Sequence, residues 1–170
     1  MREWESFFTL TGTAGATLVG LMFVVITLGA GLKSSKGRGQ TLVRTFVTPA
    51  LMHFAIVFFV ALLMLVPSPS SWFAVIVLAF FGGIGLFYAV KIAAGIWSSR
   101  SPHLHHFEWL WHGGLPALGY LALIGAAAEI AAETARAPRY VAAGSAILLY
   151  CGIRNAWAVA LGMIRLRRLK

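Results

Sequence analysis

WFAVIVLAFFGGIGLFYAVKIAAGIW, residues 72–97, holds a single charged residue, Lys91, and never alternates apolar with polar positions. A hydrocarbon core of about 30 Å needs ~20 helical residues to cross, whereas a barrel strand is about half that length and alternates. In lipid, a run of this kind closes its backbone hydrogen bonds within itself, as a helix. Four more runs have the same character, at about 7–32, 43–66, 114–134 and 140–164. They predict an all-α protein, a single transmembrane domain over residues 1–170, built as an integral membrane bundle of five helices. A four-helix alternative requires the Gly- and Ala-rich fourth run to lie outside the bilayer. The composition agrees: 59% of the 170 residues are hydrophobic, 11% are charged, and the mean hydropathy is +0.83. Soluble domains average about 25% charged residues.

MREWESFF, with two glutamates before an apolar run longer than any signal-peptide core, reads as a retained N-terminus rather than a cleaved leader. Cys151 is the one cysteine, so no internal disulfide is expected, and it reads as a small packing residue.

Charge sets the expected topology. On one side fall Lys33, Lys36, Arg38, Arg44, Arg100, Arg165, Arg167, Arg168 and Lys170 against Glu108; on the other, Arg2, Arg136 and Arg139 against Glu3, Glu5, Glu129 and Glu133. The positive-inside rule then places the N-terminus out and the C-terminus in the cytoplasm. The same bias accounts for most of the net charge of +9, and points to anionic lipid headgroups as partner rather than nucleic acid. Trp4, Trp72, Trp97, Trp109 and Trp111 fall near run ends, as an aromatic belt would.

Apolar helices gain little from hydrophobicity against one another in lipid, so small residues that allow close approach mark packing faces. Gly12, Ala16 and Gly20 recur at intervals of four beside Thr9, Thr13 and Thr17. Gly85, Ala89 and Ala93 do so in the third run, and Gly152, Ala156 and Ala160 in the fifth. These faces suit packing within the chain and also a homo-oligomer. The threonines suit a pore lining, or hydroxyls bonded back to the preceding turn.

Polar groups at depth are functional candidates by default. His53, Arg154 and Asn155 are expected roughly 15 Å deep, and Lys91 roughly 9 Å deep, at 1.5 Å of rise per residue. No aspartate occurs in the chain, so the set favours an anion or proton-coupled passage over a cation. Pro49, four residues before His53, is expected to free the Thr45 carbonyl and kink the second helix. The structural alternative has Arg154 reaching toward the cytoplasm to Glu108, with Asn155 bonding across helices.

HLHHFEWLWH, residues 103–112, follows Ser101-Pro102, an N-cap with proline at the first helical position. A short amphipathic interfacial helix is expected there, before the fourth span, ending ahead of Gly113-Gly114. At ~100° per residue His105, Glu108 and His112 share a face and could hold a divalent transition metal. The spacing matches neither HExxH nor a set of several histidine boxes. The plainer reading is a wet membrane lip without cofactor, and a cytoplasmic pH sensor is the third.

The opening FFTLTGTAGATLVGLMFVVITL and the closing GIRNAW resemble a set of uncharacterised small bacterial multi-pass proteins. These begin with an aromatic pair, a Gly/Ala/Thr run and a G-L-x-F-V stretch. The resemblance is confined to those two segments. It implies a bacterial inner membrane and about five helices, and carries no activity or binding residues.

Three functions follow as expectations. The first is a small inner-membrane channel or transport-type protein, homo-oligomeric, with His53, Lys91, Arg154 and Asn155 along a positively biased path. The second is a non-catalytic accessory or assembly subunit docking through its small-residue faces. The third is a membrane metal-binding protein using His105, Glu108 and His112. No nucleophile with its base and no phosphate loop is present, so an enzyme is the least expected class.

Overall fold

The computed structural model describes residues 2–30, 48–67, 70–98 and 109–167. The described chain forms α1 (Arg2–Ala30), α2 (Thr48–Leu65), α3 (Ser71–Ser98), a π-helical turn (Leu110–Gly114) that runs into α4 (Leu115–Ala131), and α5 (Ala137–Arg167). It contains five helices long and apolar enough to cross a membrane, and no strand. The five apolar runs of the sequence are these five helices. The loop cations Lys33, Lys36, Arg38, Arg44 and Arg100, the tail residues Arg168 and Lys170, and the Ser101-Pro102 cap lie outside the described residues. So does Thr45; Pro49 falls in the first turn of α2 as described.

Packing does not follow chain order. α1 lies on α2, α2 on α5, α5 on α4 and α4 on α3, while α1 also touches α5. Consecutive α2 and α3 approach less closely and meet through side chains such as the stacked Phe59 and Phe81 rings, 6.0 Å apart. The core comes from one face of each helix, with Phe8, Phe54, Leu78, Tyr120, Leu123 and Leu148 among its largest buried members. The outer surface is apolar as well: Leu10 is 70% exposed, Phe87 69% and Trp157 67%. Water would penalise such a surface by roughly 25 cal/mol per Å²; a bilayer removes that cost.

The fourth helix departs from expectation at its start. The helix does not end before Gly113-Gly114: the chain is helical from Trp109 through Ala131, and the apolar span begins at Leu110. The glycine pair is there for contact rather than for stopping a helix. A Cβ on Gly113 would come within 2.6 Å of the Ala93 Cβ, so its bareness lets α4 lie against α3. The rest of the expected interfacial helix lies outside the described residues.

The turn between α4 and α5 holds its strain at one residue. Glu133 has φ 55°, the left-handed region. The Thr134 N–H donates to the Glu129 carbonyl at 3.0 Å and the Glu133 N–H to the Ile130 carbonyl at 3.0 Å. This is the pattern of a helix C-terminus that usually places glycine where Glu133 stands. A non-glycine residue in that conformation costs about 1–2 kcal/mol. Glu133→Gly is therefore expected to raise stability by about 1 kcal/mol, seen as a later midpoint in denaturant unfolding in mixed micelles. An earlier midpoint would show that the Glu133 side chain contributes more than its backbone costs.

Candidate functional site: a buried histidine–tyrosine pair

The second helix buries Ala50, His53, Phe54, Val57, Val60 and Ala61, a stripe at intervals of three and four. His53 is 2% exposed within that stripe. The fourth helix buries Pro116, Gly119, Tyr120, Leu123, Ala126 and Ala127 on the same spacing. Where the two stripes face each other, His53 Nδ1 and the Tyr120 hydroxyl oxygen are 2.6 Å apart. Either the hydroxyl donates to Nδ1 or, in the other tautomer, Nδ1–H donates to the hydroxyl oxygen. The bond joins α2 to α4 beside the looser contact of α2 with α3.

Two glycines receive the rings of this layer. Tyr120 lies flat in the place a Cβ of Gly85 would occupy on α3, and Phe54 does the same over Gly152 on α5. The neighbouring residues His53 and Phe54 thus dock α2 onto two different helices. One does so by a hydrogen bond to a ring seated in a notch, the other by a ring seated in a notch. With Tyr120 and Phe54 both at 0% exposure, the layer is filled.

The other polar candidates lie elsewhere. Lys91 is exposed, its ammonium 5.9 Å from the centre of the Phe87 ring on the outer surface of α3. Asn155 is 2% exposed, on the α5 face that also buries Gly152 and Val159. Arg154, one residue earlier, is rotated off that face, its guanidinium carbon 4.6 Å from the centre of the Trp111 ring. Trp111 is the second residue of the Leu110–Ala131 span, and Arg154 is the eighth from the end of the Ala137–Leu161 span. Tyr120, the partner of His53, lies at the middle of the Leu110–Ala131 span.

The small-residue faces divide in the same way. Gly12 meets the Ala61 Cβ at 3.0 Å, while Ala16 is exposed and Gly20 has nothing within 4 Å. Gly15, at 3.0 Å from the Phe54 carbonyl oxygen, is the closer approach of α1 to α2. Gly85, Ala89 and Gly152 are buried within the chain and Ala156 partly so. The Thr11 and Thr17 hydroxyls donate to carbonyls of the preceding turn, at 3.0 and 2.9 Å.

His105 and Glu108 of the expected metal set lie outside the described residues, and His112 is in the π-helical turn. Among the described residues no three His, Cys, Asp or Glu side chains gather for a metal. Tyr120 was not singled out by the sequence, and Trp111 was read only as one of the belt tryptophans. Tyr120 had a signal, as the single aromatic residue of the 114–134 run, well below belt depth.

Comparison with protein-family models, with curated proteins and with solved structures returned no match.

Proposed function

We propose that this is a small transport-type membrane protein whose passage lies along the seam between α2 and the α3–α4 pair. The buried His53–Tyr120 hydrogen bond holds that seam closed. The observation that carries the reading is this polar bridge, set in an apolar core beside the looser contact of α2 with α3. Ionisable residues inside a membrane bundle are costly and tend to mark ion or proton pathways. When the bond opens and water enters the seam, the His53 imidazole can take a proton from water on one side and return it to water on the other. The bond closes the seam when made and frees both partners when broken. A bacterial inner membrane, a homo-oligomeric state and a proton-coupled or anionic cargo belong to the same proposal.

The test is flux. In proteoliposomes with an internal pH dye, the wild-type protein should collapse an imposed pH gradient faster than empty liposomes. His53→Gln, which keeps a hydrogen-bonding side chain but cannot relay protons, should bring the rate down to background. A rate unchanged by His53→Gln rejects the seam as the path.

A second reading, an accessory or assembly subunit, is favoured by the outer face of α1. Thr9, Thr13, Ala16, Thr17 and Gly20 are all exposed there and leave room for another helix. Gly20→Leu separates the two readings: an assembly subunit would lose its complex, whereas the seam path would keep its flux.

A further inference from the structure

Tyr150, Ile153, Trp157 and Leu161 are exposed, so this face of α5 looks outward from the bundle. Arg154 stands at its edge, partly buried, directly after Ile153 and one turn before Trp157. Its guanidinium carbon lies 4.6 Å from the centre of the Trp111 ring, and the Trp111 and Tyr150 rings are 5.8 Å apart. A guanidinium held over a tryptophan ring by cation–π attraction has its position fixed while N–H donors remain to meet an acceptor. The carboxylates among the described residues lie elsewhere. Glu3 and Glu5 begin α1, and Glu129 and Glu133 are at the far end of α4 from Trp111. With helix direction alternating, all four belong to the opposite end of the bundle.

The Arg154 guanidinium, a fork of donors, stands against Trp111, whose ring neighbours Tyr150, at the start of the Leu110–Ala131 span. Tryptophans at span ends form the belt that meets headgroups. A phosphodiester matches the fork in shape and charge, and a bilayer presents one at that level all along its surface. We infer that Arg154, held by Trp111, binds the phosphate of an anionic phospholipid in the leaflet facing the start of α4. An anionic headgroup fits better than a zwitterionic one, because a choline or ethanolamine brings its own cation to the same phosphate.

The test uses the full chain in nanodiscs of phosphatidylcholine containing a minority of phosphatidylglycerol. Native mass spectrometry then reads the lipids retained on release. The wild-type protein should hold phosphatidylglycerol above its bulk share. Arg154→Ala should lower that enrichment roughly fivefold, the weight of one surface cation. Arg154→Lys keeps the charge without the planar fork, and Trp111→Leu keeps the charge without the stack; each should give an intermediate value. The proposal is overturned by undiminished enrichment in Arg154→Ala or in Trp111→Leu, or by full recovery with lysine. Displacement of the retained lipid by millimolar inorganic phosphate would make free phosphate the ligand and overturn the lipid assignment.

Discussion

Gly85→Ala should be the most damaging single methyl group that can be added to this protein. The new Cβ would overlap the Tyr120 ring, which cannot swing aside because its hydroxyl is tied to His53 and its body is fully buried. Overpacking a filled core costs about 1–3 kcal/mol and sometimes more. Here the only relief is to push α3 away from α4 or to break the hydrogen bond. The expected loss is therefore at or above ~3 kcal/mol, read as a shift of the unfolding midpoint in mixed micelles. Gly20→Ala is the matched control, because nothing lies within 4 Å of the added atom. Gly20→Ala should leave monomer stability unchanged within ~0.5 kcal/mol. If the two substitutions cost the same, the Tyr120 ring does not rest in the Gly85 notch. A change of assembly mass in Gly20→Ala would place a second copy or partner helix on the outer face of α1.

Tyr120→Phe should come next in effect, because it keeps the ring in its notch and removes only the hydroxyl. His53 Nδ1 is then buried without the partner it now has at 2.6 Å. Leaving a buried polar group unsatisfied costs about 1–3 kcal/mol. A double-mutant cycle with His53→Leu isolates the pair: each single change should destabilise, and the double change should cost less than their sum. In membrane proteins such couplings average ~0.6 and reach ~1.7 kcal/mol, and a well-buried 2.6 Å bond belongs at the upper end. Strict additivity of the two changes would mean the bond contributes nothing. Flux adds a readout that stability does not supply. If the bond keeps the seam closed, Tyr120→Phe should leak protons faster than the wild-type protein while His53→Gln falls to background, so the two variants part in opposite directions.

The five spans could be read from the chain because apolarity over about 20 residues is a property of each segment alone. Residues 72–97 would be a spanning helix beside any neighbour. The small-residue faces were legible as a list but not as an arrangement. Gly12, Ala16 and Gly20 look equivalent at their regular spacing, yet Gly12 packs on Ala61 and Gly20 meets open space, while Gly15 makes the closer approach. Gly113-Gly114 looked like a helix stop because in water glycine usually marks one. Inside a span the backbone has no water to turn to, and the pair serves close packing against Ala93 instead.

Membership in a five-helix membrane class therefore follows from local composition, since transfer into lipid is close to a sum over residues. Which polar groups meet is a different kind of fact. His53 and Tyr120 are 67 positions apart, and nothing near either one in the chain announces the other. Arg154 and Asn155 are neighbours in sequence, yet one turns onto Trp111 while the other turns into the core. In a soluble protein the apolar stripe would have told the inner face of each helix from the outer. In a bilayer both faces are apolar, and the choice passes to shape, to a ring that fits over a missing Cβ and a hydroxyl that reaches a nitrogen, which exist only once the helices have been brought together.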